Sequence, residues 1–282
     1  MIIQVVDDLS RRLVPDELWA LARPLIPGFG VRPQGGGTAP VDDRAVFTAI
    51  VFVLTSGCAW RLLPLSFGVT VPTAHRRFTE WTKAGLWRRL HRAVLDELGS
   101  QGLIDWSRAV LDGASVRAKK GGPMTGPNPV DRGKTGSKIH VLTDCAGIPL
   151  SVAVSAANTN DSYALKPLVM AIPAVRSRRG PRRRTPAKLH GDKAYDQIDL
   201  RRWVRDQGIV VRIARKGIES STKLGKHRWV VERSVAWLFG YHRLNIRYDR
   251  YANHFCAFLT LAATLTCYKK LRKSRHMRHA LN

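Results

Sequence analysis

The sequence predicts an α/β chain in which a small all-helical region precedes a mixed sheet with helices on its faces. Three observations carry that prediction. The first hundred residues are punctuated as helices, with Pro15, Asp42 and Pro72 at starts and Gly57, Gly85 and Gly99 at ends. After about residue 106 the hydrophobic period shortens to two, as in RAVLDGASVRA, SKIHVLTD and PLSVAVSAA. Helix-like and strand-like segments then alternate, the pattern that lays helices over a sheet.

Taken in order, Pro15 opens a helix through about Leu21, and Asp42 and Asp43 precede one ending near Gly57. VRPQGGGTAP, 31–40, reads as a loop. Pro72 opens a third helix that stops at Gly85, and 86–98 runs to Gly99. In that third helix Ala74, Phe78 and Trp81 recur at helical spacing and face inward, which leaves His75, Arg76, Arg77 and Lys83 outward. A compact helical unit with a basic outward helix suggests a DNA reader of helix-turn-helix type over residues 1–105. The connection from Cys58 to Val71 exceeds the roughly 3–4 residue turn of the strict motif. A solvated helix face accounts for the same residues equally well.

From 106 to 282 the pattern is three strands in meander order, with DCAG as the turn between the second and third. A helix follows, DSYALKPLVMAI, with Asp161 as its expected cap. Then come the strand AKLHG, a helix through LRRWVRDQG, the strand IVVRIAR and a long helix beginning near Lys226. FCAFLTLAATLTCY, 255–268, reads as a core helix capped by Asn253, since its 14 residues fall short of the roughly 20 that span a bilayer. Two loops stand out. Residues 119–137 are rich in Gly and Pro and net basic, a length that predicts function or disorder. RSRRGPRRR, 176–184, carries six arginines, Arg182, Arg183 and Arg184 among them; it could track a nucleic-acid backbone or be plainly solvated.

Charge narrows the function. Lys and Arg number 47 against 21 Asp and Glu, a net charge of +26 whose natural partner is a polyanion. Up to residue 105 there are 12 basic and 10 acidic residues, which leaves 35 and 11 for the remainder, so the excess lies in the second part. Cys58, Cys145, Cys256 and Cys267 show no paired spacing and read as reduced core thiols. MIIQVVDDLSRR has neither the basic start nor the long apolar stretch of a signal peptide, so a cytoplasmic, nucleoid-associated protein with no membrane partner is expected.

In a half so short of acids, each carboxylate needs a reason. Asp112 lies inside the first strand, where an ionised side chain is costly without a partner. Asp192 ends the strand LHG, where ligands of open α/β sheets collect, and Lys193 beside it is a candidate phosphate contact. If those strands are neighbours, the two carboxylates converge. Glu232 lies on the helix KHRWVVERSVAWLFGYHRL, and the helical wheel places Arg228 and Arg243 beside it. Taken alone, that arrangement is an ordinary Arg228–Glu232 pair on a solvated surface. Asp196 competes with Asp192 and reads as a helix cap. Three convergent carboxylates would repel one another unless a hard cation such as Mg²⁺ sat between them. Two such ions can stabilise both the attacking and the leaving oxygen in displacement at phosphorus.

LDGASVRA, DRGKTGSKIHVLTDCAGIPLSVAVSAANTNDS, LHGDKAYD and RWVVERSVAWL resemble successive blocks of the DDE transposases of bacterial insertion sequences, in the group named for insertion sequence five. GCAWRLLP and HRRFTEWTKAGLW resemble that group's helical leader domain, so the likeness covers nearly the whole chain. The resemblance implies an RNase H-like core over 106–282 with a basic tail, and Asp112, Asp192 and Glu232 as catalytic and metal-binding triad. It implies two Mg²⁺ ions, with Mn²⁺ as an alternative, and hydrolysis at the ends of a mobile element. Attack of the freed 3′-hydroxyl on target DNA then follows, within a homo-oligomer that synapses the ends. Asn158 and Asp161 match a further block. Of the family's Tyr, Arg, Glu, Lys signature, Arg228 and Glu232 are present, while Gly225 and Phe239 stand at the Tyr and Lys positions. Arg243 is the expected substitute for that lysine. A transposon-derived DNA-binding protein without catalysis, or a metal-dependent nuclease of the same fold, are the alternatives.

Overall fold

A computed structural model describes residues 2–28, 41–215, 217 and 221–279, so the loop expected at 31–40 lies outside the described residues. The helical region comprises α1 (Ile2–Leu13), α2 (Asp16–Ala22), α3 (Asp43–Ser56), α4 (Val71–Lys83) and α5 (Leu86–Ser100). Their ends follow the punctuation. Asp42 accepts the Ala45 N–H at 3.0 Å to cap α3, and Gly57, at φ 71°, closes it in the left-handed conformation that disfavours any other residue. A Cβ there would also meet the His242 backbone at 2.9 Å. α1 was not foreseen: its first turn is rich in β-branched residues and it has no capping signal. Between α3 and α4 run two short 3-10 turns, Trp60–Leu62 and Leu65–Phe67, so the pair is not a strict helix-turn-helix.

The sheet contains β1 (Ala109–Ala118), β2 (Gly126–Pro127), β3 (Thr135–Asp144), β4 (Pro149–Ala156), β5 (Lys188–Gly191), β6 (Val210–Ile213) and β7 (Ile246–Arg247). β4, β3 and β1 form an antiparallel meander, and β5 and β6 extend it in parallel from the free edge of β1. This is the mixed sheet that was expected, a meander extended by parallel strands. β7 pairs with the far end of β1, beside Arg117 and Ala118, while β5 pairs only with Ala109 and Val110. The edge of β1 between those two pairings carries Asp112.

Four helices cover the sheet: α6 (Ser162–Met170), α7 (Ile198–Asp206), α8 (Ser221–Phe239) and α9 (Ala252–His279). α6 packs on β3 and β4, α8 crosses β1, β3 and β5, and α9 lies between β4 and α5. α9 buries Phe255, Phe258, Leu259, Leu261 and Leu265, as its apolar run predicts, and Phe258 stacks on Phe78 of α4 at 4.4 Å. One hydrophobic core therefore runs from the helical region into the sheet. Asn253 is not the cap of α9: it is the second helical residue, and its side chain accepts the next N–H, that of His254. Among the described residues no helix is long and apolar enough to cross a membrane.

The Gly/Pro-rich loop at 119–137 is ordered around one guanidinium. Arg247, 1% exposed, donates to the carbonyls of Pro123, Met124, Asp249 and Arg250 and to Ser137 Oγ. An arginine with its donors so satisfied is a tie between segments, which is why a run of turn residues folds here.

Candidate active site

β1 carries Asp112, and β5 leads directly into Asp192. Their parallel register pairs Ala109 with Leu189 and Val110 with His190. The same offset of 80 residues separates Asp112 from Asp192, two positions beyond the last pair. The ladder stops at Val110 and His190, just before the aspartates; Asp192 follows the carboxyl end of β5, where ligands of open α/β sheets collect, and Asp112 is the fourth residue of β1. A Cβ at Gly191 would come 3.3 Å from Leu111, and one at Gly113 would meet His140 and Asp161. Gly191 thus lies against Leu111, and Gly113 against Asp161 at the start of α6, while alternation along β1 turns Asp112 to the opposite face.

Both aspartates are half-buried and fixed by local backbone. Asp112 Oδ1 accepts the Gly113 N–H at 2.8 Å, and Asp192 Oδ1 accepts the Ala194 N–H at 2.9 Å, which starts the short turn Lys193–Tyr195. Lys193 is half-buried in that turn, next to the carboxylate. Glu232 is exposed on α8, whose buried side is Val230, Val231, Ser234 and Leu238. Ser234 Oγ donates to Gly147 O at 2.8 Å and holds the helix on the β3–β4 turn. Among the described residues no three His, Cys, Asp or Glu side chains stand close enough to hold a metal ion. The aspartates are spaced by the same offset as the β1–β5 pairs, and the expected gathering of all three carboxylates is not found among the described residues. In chemistry the aspartate pair suits Mg²⁺, which takes one or two carboxylates and completes its octahedron with water and phosphate oxygens.

Several expected DNA contacts have other duties. Arg77 does not face outward: it is 3% exposed, ion-paired with Asp43 and placed over the Trp81 ring at 5.0 Å, so it ties α4 to α3. Arg243 is not beside Glu232, because α8 ends at Phe239 and the chain turns; its buried guanidinium bonds Asp249 at 3.0 and 3.3 Å and the Cys58 carbonyl. The Arg228 side chain lies outside those described. His75, Arg76 and Lys83 are exposed as expected, with Arg76 paired to Glu80 at 2.9 Å. In the arginine run Arg182 grips Asp96 at 2.8 Å, Arg184 donates to Met170 O, and Arg183 sits over Trp106. All three remain exposed.

Two acids taken for caps are ion-paired instead. Asp196 binds Arg201 at 2.7 Å. Asp161 makes no cap bond; Lys138 Nζ lies 2.8 Å from its Oδ1, and His140 Nδ1 at 3.9 Å. Burial pushes His140 down to about 4, against the pull of Asp161, and Ser155 Oγ meets its Nε2 at 2.8 Å. Another buried acid, Asp144, is pushed up to about 6 by burial although three backbone N–H groups, of Asp105, Ala146 and Ile148, point at it. Sequence reasoning also passed over a stack on α8: Arg233 lies 4.5 Å from the exposed Trp229 ring and 4.7 Å from Trp237, with Lys270 over the latter at 4.2 Å. The spacing of Trp229, Arg233 and Trp237, four residues apart each, was the available signal.

Comparison with known proteins gives consistent matches. A family model described as "Transposase DDE domain" matches residues 101–267, and one described as "Putative transposase of IS4/5 family (DUF4096)" matches 14–91. The chain is 46% identical over 154 residues, 55% of its length and 73% of the relative's, to "Putative transposase for insertion sequence element IS402" of Burkholderia cepacia. It is 40% identical over 123 residues, 43% of its length and 84% of the relative's, to "Insertion element IS402 uncharacterized 16.2 kDa protein" of the same organism. Among solved structures it resembles a piggyBac transposase synaptic complex with hairpin DNA, at 10% identity and TM-score 0.45, over 96% of this chain and 76% of that one. A pre-cleavage Mos1 transpososome is similar at 11% identity and TM-score 0.33, over 88% and 84% of the two chains.

Proposed function

The chain belongs to the DDE-domain transposases, metal-dependent enzymes of DNA cleavage and strand transfer, and on that premise we propose that Asp112, Asp192 and Glu232 are its catalytic carboxylates. The observation that supports this best is the offset of the β1–β5 pairs, which equals the spacing of Asp112 and Asp192 and ends two residues before them. Mg²⁺ is the ion the oxygen donors suit, and Mn²⁺ shares that preference for carboxylate and water. When bound, the metal activates the attacking oxygen and stabilises the leaving one. The chain's own part is positional. Backbone N–H groups fix one oxygen of each aspartate, Lys193 stands beside Asp192 for a substrate phosphate, and α8, which packs on β1 and β5, carries Glu232 on its exposed side.

In this reading residues 1–105 recognise element ends and 106–282 cut them. Water attacks the phosphodiester at the end of the element and the 3′-oxygen leaves as a hydroxyl. That hydroxyl then attacks a target phosphodiester and displaces a second 3′-oxygen, so one bond forms as one breaks. Two ends cut in concert require two such sites, hence a homo-oligomer on DNA. Incubation with Mg²⁺, labelled element-end DNA and a target plasmid tests the sequence of steps. Cleaved and joined products are expected; cleavage without joining would mark a nuclease, and binding with neither a non-catalytic DNA-binding protein. Asp192→Ala abolishes cleavage and leaves DNA binding equal or stronger, because a repulsive charge near phosphate is gone. Retained cleavage in that variant removes Asp192 from the site.

A further inference from the structure

A cleft of about 740 Å³ opens where the segment Gly57–Arg61 meets Tyr248–His254, at the seam between the helical region and the far end of β1. Its walls combine two chemistries. Trp60, His75, Tyr248 and Tyr251 present aromatic rings, with Tyr251 61% exposed. Arg61, Lys120 and Arg250 are exposed cations, and Arg243, bound to Asp249, lies among them; four cationic side chains thus face one carboxylate. None of these residues belongs to the carboxylate site.

The combination selects among parts of DNA. A duplex offers phosphates to arginine and lysine, but its base faces are stacked on one another and closed to protein rings. An unpaired base has a free π-face, which aromatic side chains bind with little regard to sequence. Arg243 lies 5.6 Å over the Tyr248 ring and Tyr251 meets His254 edge-on at 5.4 Å, so Tyr251, the more exposed of the two tyrosines, is the platform best placed for a newcomer. The volume falls in the range of small-ligand pockets, enough for a nucleotide. β7 pairs with β1 at Arg117, five residues and about 17 Å along the strand from Asp112 at about 3.3 Å per residue, and Tyr248 of the cleft follows β7 directly. That length along β1 is about five base steps of a DNA strand at about 3.4 Å each.

We propose that this cleft receives an unpaired nucleotide of the DNA substrate, its base against Tyr251 and its phosphate on Arg61 and Arg250. The proposal depends on DNA being the substrate and not on which carboxylates cut it. Binding of the full chain to a short labelled oligothymidylate and to a blunt duplex of equal strand length, by fluorescence anisotropy, tests it. Tyr251→Ala is expected to weaken single-strand binding roughly 10-fold while duplex binding stays within about twofold, and Tyr251→Phe to restore it, since stacking needs the ring alone. Unchanged single-strand binding in Tyr251→Ala would overturn the proposal, as would equal losses on both probes, which would mark a surface that follows duplex backbone. Failure of Tyr251→Phe to restore binding would overturn it as well.

Discussion

The two faces of the central sheet each carry aspartates, and they treat them differently. On the α6 side Asp161 lies against Lys138 and close to His140, so its charge is answered within the fold. On the opposite face of β1 lies Asp112, and Asp192 follows β5 at the same offset as the strand pairs, just past the end of the ladder. Two carboxylates brought together repel, and their half-burial makes sense when a cation joins them. An acid near a sheet is therefore a weak sign of a site; two acids at the offset of paired strands, just past the end of their ladder, are a stronger one.

That contrast can be broken by substitution. The largest effect separates the faces by activity: Asp192→Ala stops cleavage, whereas Lys138→Met leaves cleavage per folded molecule close to wild type. If Lys138→Met abolished cleavage without unfolding the chain, the α6 face would belong to the site. Next comes stability. Lys138→Met strands Asp161, and since that carboxylate keeps 28% of its side-chain surface the cost is discounted to about 1–3 kcal/mol, read from urea unfolding. A shift below the error of the method would show the pair to be idle.

The smallest effect is a pH slope. His140 has a folded value of about 4, below its ordinary 6.5, because burial disfavours its charged form. Its contribution is fully present above the unfolded value and is lost as pH falls from about 6.5 toward 4, as the unfolded chain takes up the proton first. His140→Gln should flatten the stability profile in that window. His91, also buried and held near 4, keeps part of the slope in the variant. An unchanged profile would place His140 in contact with solvent.

Much of this arrangement was legible in the sequence, and the rest was hidden for identifiable reasons. The strand carrying Asp112 announced itself by period two, the short strand before Asp192 followed from its place between helices, and the structure pairs the two at the offset of the aspartates. Arg77 and Arg243 were misplaced because a sequence shows a charge and not its partner. Asp43 lies 34 residues before Arg77, and the turn after Phe239 removes Arg243 from the helical wheel. Arg247 drew no notice, yet it organises the loop that looked disordered, through carbonyls 123 and 124 residues away. Short-range signals such as caps and periods survive in one dimension. Ion pairs across elements do not.

The central claim is that Asp112 and Asp192 form one donor pair. Mn²⁺ binding to the full chain without DNA, followed by electron paramagnetic resonance of the free ion, tests it apart from activity. Asp112→Asn and Asp192→Asn should each release the bound Mn²⁺, and Glu232→Gln should release less, because Glu232 is exposed on α8 while both aspartates are half-buried. Wild-type Mn²⁺ binding in either aspartate variant would contradict the account.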